Sequence, residues 1–115
     1  MRKIAEKLKK EIAEDPFMER CCITGSEAVS WEHCFCYGTR GQISEKWAIV
    51  PLRRDLNTSH PPVEVKELCR LISLERATKE DLAKYPKKNW EQEFNYLNNK
   101  YDKAKRESIK RKYGL

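Results

Sequence analysis

β-prone sequence is confined to one stretch of the chain, residues 19–52, and that confinement decides which folds are open to it. Upstream, "IAEKLKKEI" sets Ile4, Leu8 and Ile12 at a spacing of four among Lys and Glu, the pattern of an amphipathic helix that has to end before Pro16. Within residues 19–52, "RCCITG" closes on a Thr-Gly turn signal and "AVSWEHCFCYGTRGQ" reads as a strand running into a Gly-rich turn. "KWAIVPL" is a second short β-prone run, stopped by Pro51. The simplest arrangement is a hairpin with a long connection.

Helical patterns take over afterwards. A short helix is expected to begin between Leu52 and Asn57 and to be broken by "TSHPP". "VEVKELCRLISLERA" predicts a helix with Leu68, Cys69 and Ile72 facing inward and Leu71 at the margin of that face. "ATKEDLAKYP" places Thr78 and Asp81 at an N-cap and its N3 partner, the third helical position, although Asp is not the preferred Glu or Gln, and Pro86 closes the segment. Trp90, Phe94, Leu97, Tyr101 and Ala104 then recur at steps of four and three, which predicts one long helix with an aromatic seam and a basic back. The expected class is α+β: a small hairpin plus helix core, embellished by an N-terminal helix and C-terminal helices. A single domain, residues 1–115, divides into an N-terminal helix (1–18), the hairpin-containing core (19–62) and a helical extension with a basic tail (63–115).

At 39% hydrophobic and 37% charged residues the core is modest, which leaves a homodimer open. No run approaches the roughly 20 apolar residues of a membrane span, and the N-terminus is charged where a signal peptide would be apolar, so a cytoplasmic protein with no membrane partner is expected. Five Cys, an odd number, argue for reduced thiols, and the five are read as buried side chains. The net charge of +6 resides in residues 84–115, where ten Lys or Arg face four acids. Such a field suits a phosphate backbone and suits a solvated surface helix as well.

The residues with chemical potential lie in "SWEHCFCYG" and "PLRRDLNTSH". Glu32 and His33 are adjacent, so in a flat strand they would point to opposite faces. One division of labour makes His33 a neutral imidazole that activates water and Glu32 an oxygen ligand for a hard divalent cation, with Asp55, Asn57 and His60 as sources of further ligands. The plain alternatives are a satisfied strand histidine, an edge carboxylate and an Asn in an ordinary turn. Arg40, Arg53 and Arg54 flank these segments and could meet phosphates, as could Lys103, Lys105 and Arg106 of the tail, giving affinity without sequence choice.

The segment "CCITGSEAVSWEHCFCYGTRGQISEKWAIVPLRRDLN" resembles the HNH endonuclease motif of the ββα-metal fold, particularly the compact phage and prophage versions. In that family an acidic or His residue followed by His ends the first strand, which matches Glu32 and His33, and a closing His or Asn comes from a helix after the second strand, which matches Asn57. The resemblance implies a metal-dependent endonuclease acting on nucleic acid, DNA ahead of RNA. His33 would be the general base, and Glu32 and Asn57 would hold one divalent ion such as magnesium or manganese. It also implies a bacterial or phage-infected cytosol. The middle Asn of the motif falls near Ala48 and is absent. The family's four zinc-binding Cys fall on Cys21, Thr24, Arg53 and Leu56, so no structural zinc is expected. The alternative on the same scaffold is a catalytically inactive module that binds nucleic acid or a protein.

Overall fold

A computed structural model describes residues 5–37 and 41–114. The chain forms helix α1 (Glu6–Ala13), strands β1 (Val29–His33) and β2 (Ile49–Arg53), and helices α2 (Val63–Arg76), α3 (Lys79–Ala83), α4 (Trp90–Lys100) and α5 (Lys103–Tyr113). The described residues are thus a mixture of five α-helices and one two-stranded antiparallel sheet.

Helix α1 stops where the sequence says it must. Pro16 opens a 3-10 turn, Pro16–Glu19, and the Asp15 side chain caps that turn by accepting from the Phe17 N–H at 3.0 Å. Asp15 also pairs with Arg76 at 2.7 Å and with Lys46 at 3.5 Å, so one carboxylate fastens the N-terminal turn to the end of α2 and to the approach to β2. Burial pushes the Asp15 carboxyl up, but the Phe17 N–H and the Arg76 guanidinium outweigh it and hold the group below its ordinary value. Ile12, Met18 and Ile49 close over Trp31 in a small cluster beneath this corner.

The strands pair in register from Val29 opposite Arg53 to His33 opposite Ile49. Pro51 does not end β2, contrary to the sequence expectation: it sits opposite Trp31 in mid-strand. The backbone bonds between Arg54 and Ala28 and between Cys34 and Ala48 fix the alternation, so the Trp31 and Pro51 pair falls where no ladder bond is made and the missing N–H costs nothing. The outward carbonyl of Pro51 instead accepts from the Cys22 N–H at 2.9 Å.

The connection between the strands is organised by α2. Lys46–Ala48 form a 3-10 turn in which Trp47 and Ala48 are buried, and the buried Ser73 hydroxyl donates to the Trp47 carbonyl at 2.7 Å. On α2, Val65, Leu68, Cys69, Leu71 and Leu74 enter the main core with Val50 and Leu52 of β2. Leu71 is fully buried and Ile72 only partly, the reverse of the expected emphasis, because α2 is covered by the sheet on one side and by the C-terminal helices on the other. Trp90 closes the core against Phe35 and Trp47 in edge-to-face contacts with centroids 5.2 and 5.8 Å apart.

Three further expectations are corrected. Of the five cysteines only Cys21 and Cys69 are buried; Cys22 and Cys34 are half-buried and Cys36 is exposed. Residues 54–56 form a turn and not the start of a helix, so α2 is the first helix after β2. The long C-terminal helix is two: it breaks at Tyr101, and the Asp102 side chain restarts it by accepting from the Lys105 N–H at 2.8 Å. The break moves Ala104 into solvent and puts Ile109 in the core. Thr78 and Asp81 do form a reciprocal capping box at α3.

Candidate functional site

Glu32 and His33 stand at the C-terminal end of β1, both half-buried, and the period of the strand separates their side chains. Glu32 pairs with Val50, whose side chain belongs to the core under α2, whereas His33 pairs with Ile49, which belongs to the Trp31 cluster on the other face. They nevertheless meet at the rim. Both line a cavity of about 300 Å³ between the end of β1, Pro61 and the face of α2 that carries Val65, Lys66, Cys69 and Arg70.

The cavity sets the ionisation of both groups. Burial pushes the Glu32 carboxyl up, and the nearby Lys66 ammonium partly offsets that rise. Burial pushes the His33 imidazole down, which keeps it neutral at neutral pH, the state in which a ring nitrogen can accept a proton. The His33 Nε2 lies 3.5 Å from the Ser44 hydroxyl, contributed by the connection that leads to β2. The thiols of Cys34 and Cys69 share the cavity wall, and Cys34 donates to the Cys69 carbonyl at 3.5 Å. Burial raises the Cys34 thiol above its ordinary value. For Cys69 a hydrogen bond to Cys22 leads and burial adds to it, so both stay protonated.

Asn57 is brought to β1 but not to the cavity wall. Its side-chain amide donates to the Ser30 hydroxyl at 2.8 Å and to the Trp31 carbonyl at 3.4 Å, beside the strand face that carries Glu32. Asp55 is held in a two-point pair with Arg53, at 2.5 and 3.1 Å, and both turn away from the cavity. Arg54 is exposed and donates to the Val29 carbonyl. His60 is exposed in the loop before α2, and Arg40 lies outside the described residues.

Four of the ten cations of the basic tail pair with acids in the rest of the molecule. Lys84 pairs with Glu45, Lys100 with Glu67, Arg106 with Glu75 and Lys112 with Glu64, each acid coming from the charge-balanced part of the chain. Arg106 is thus committed to Glu75 through both of its terminal nitrogens, at 3.1 and 2.6 Å, while Lys103 and Lys105 remain exposed on α5. Linear charge counting could not reveal this, because the acids that answer the tail lie far from it in sequence.

Lys66 and Arg70 are the cavity residues that the sequence reading passed over. The signal was present as two cations four residues apart, but α2 was read for its apolar face alone. A larger cavity, about 650 Å³, lies between α1 and the Lys46–Ala48 turn. Of its three carboxylates, Glu45 is engaged by Lys84, by the Trp47 indole and by the Tyr85 hydroxyl and Asp81 by the α3 cap, and it has no histidine beside Glu11, so the smaller cavity is the better candidate.

Among the described residues no three His, Cys, Asp or Glu side chains form a group able to hold a metal ion. The donor set therefore does not fit an all-protein cage. It does fit a hard ion that keeps most of its water and takes one carboxylate from the protein, as magnesium does when a substrate phosphate completes its shell. No helix among the described residues is long and apolar enough to cross a membrane. Comparison with protein-family models, with curated proteins and with solved structures finds no match.

Proposed function

We propose that the protein is a metal-dependent endonuclease of the HNH kind, hydrolysing phosphodiester bonds in nucleic acid, with DNA as the first substrate to test. The observation that carries this reading is the joint placement of a neutral His33 and a half-buried Glu32 in one cavity that cations from α2 also line. No folding argument calls for that combination. The order of β1, β2 and α2, with α2 packed on the strand pair, is compatible with a ββα core, although Asn57 lies in the turn before α2 and not on the helix.

His33 accepts a proton from the attacking water while the Ser44 hydroxyl restrains its Nε2. The water oxygen bonds to phosphorus, and the departing oxygen takes its proton from solvent. Glu32 would hold the divalent ion with water and substrate oxygens, and Asn57 would join it only by giving up its bonds to Ser30 and Trp31. The ion supplies neutralisation of the charge that develops on the phosphoryl group. The experiment is conversion of supercoiled plasmid to nicked or linear form with magnesium, manganese or EDTA, comparing wild type with His33→Ala. Metal-dependent cutting that disappears in the variant supports the reading.

A second reading has its own observation. The Asn57 amide is bonded to Ser30 and Trp31, as a purely structural Asn would be, which favours a non-catalytic binding module on the same scaffold. Intact plasmid that is still retarded on a gel, with RNA and branched DNA also left uncut, would establish it.

A further inference from the structure

Glu32 and His33 account for one side of the cavity, and the opposite side carries two cations that the reaction as described does not use. Lys66 and Arg70 lie one turn apart on α2, so their side chains emerge side by side at the cavity wall. Lys66 is exposed, and its ammonium makes no hydrogen bond or ion pair among the described residues, acting on Glu32 only through space. Arg70 pairs with Glu93 through Nη2 at 3.2 Å, and that single contact leaves its Nε buried with no acceptor. An Nε in this state recurs at Arg76, so what singles Arg70 out is its place on the cavity wall one turn from the unpaired Lys66 ammonium.

We propose that Lys66 and Arg70 are the phosphate-holding residues of this cavity, gripping a backbone phosphate of a polynucleotide strand beside the bond to be cut. The assignment rests on the nuclease reading for its substrate, and on the two cations for its place. The fork of Arg70 offers directed donors to phosphate oxygens, and Lys66 adds an unpaired point charge one turn away. The strand would cross the N-terminal half of α2 at the cavity mouth, and α5, where Arg106 is spent on Glu75, would lie outside the grip.

The test separates binding from cutting by working in EDTA. Fluorescence anisotropy of a labelled DNA oligonucleotide, single-stranded and duplex, would be recorded against salt for wild type, Lys66→Ala, Arg70→Ala, Arg70→Lys and the double variant Lys103→Ala/Lys105→Ala. Loss of Lys66 or Arg70 is expected to weaken binding about tenfold and to lower the salt slope by about one for each phosphate contact removed. Arg70→Lys should recover part of the affinity, and the α5 double variant should lose less of it than Lys66→Ala. Lys66 is exposed, so Lys66→Ala decides the matter even where Arg70→Ala melts early. Unchanged affinity and slope in Lys66→Ala, or no binding by the wild type, overturns the proposal. Lys66-dependent binding by a protein that cuts nothing with any metal overturns the nuclease reading and leaves the phosphate grip standing.

Discussion

The Asn57 side-chain amide donates to the Ser30 hydroxyl at 2.8 Å and so fastens the turn behind β2 to the start of β1. Ser30 and Glu32 are two residues apart on one strand and therefore share a face, so this bond fixes the turn beside the Glu32 side of the sheet.

Removing the bond from either end distinguishes its roles. Asn57→Ala and Ser30→Ala are each expected to cost about 1–2 kcal/mol in urea denaturation, since both break a half-buried hydrogen bond. If Asn57 also serves the reaction, Asn57→Ala loses plasmid cutting and Ser30→Ala keeps most of it. Equal residual cutting would assign Asn57 to structure alone.

The low proton affinity of His33 has a definite sign. Burial favours the neutral ring, so cutting should stay level as pH falls from about 8 to 6.5 and decline only below that range. Stability follows the same group: the unfolded chain takes up the proton more readily, so the His33 contribution is complete above about pH 6.5 and is lost as pH falls through the depressed folded value. His33→Gln should flatten that part of the profile of melting temperature against pH.

Glu32 runs in the opposite direction. With its folded proton affinity raised by burial, its contribution is complete below its ordinary value of 4.5 and is lost as pH rises through the raised folded value. At neutral pH the ionised carboxylate is a liability, and Glu32→Gln should raise the melting temperature by a few degrees at pH 7 with no gain at pH 4. Magnesium should raise the wild-type melting temperature at pH 7 and leave that of the variant unmoved; equal responses would remove Glu32 from the metal site.

The C-terminal helices are held by a buried acid. Glu67 accepts from the Lys100 ammonium at 2.7 Å and from the Tyr101 hydroxyl at 2.6 Å, and Tyr101 is 2% exposed. Tyr101→Phe removes one bond and should cost about 1 kcal/mol, whereas Glu67→Ala strands a buried hydroxyl and a cation and should cost about 3 kcal/mol. Chemical denaturation of the two variants checks the order; a larger loss for Tyr101→Phe would contradict it.

What could be read from the sequence was whatever depends on neighbours along the chain. The period of Leu8 and Ile12, the Pro16 stop, the Thr78 and Asp81 cap and the strand character around Trp31 are local, and each reappears in the structure. Pro51 misled because its tolerance depends on which edge of the ladder its nitrogen faces, a property of the partner strand. The continuous seam from Trp90 to Ala104 misled because Asp102 reads equally well as an exposed helix residue and as a cap, and only the docking of Ile109 decides between them. At the candidate site the adjacency of Glu32 and His33 was visible, while the contribution of α2 was not, since Lys66 and Arg70 acquire meaning only when the helix is laid over the end of β1.

The way α2 holds the strand connection also fixes the order of events when the chain folds. Joining β1 to β2 means closing a long loop, and the two-strand ladder returns too little to offset that lost entropy by itself. The loop's own anchors, Trp47 and Ala48, find their burial and the Ser73 hydrogen bond on α2. The hairpin therefore cannot precede the helix. Strand and helix should gain protection from hydrogen exchange in a single kinetic phase, and the rate of that phase should fall in Ser73→Ala although Ser73 belongs to neither strand.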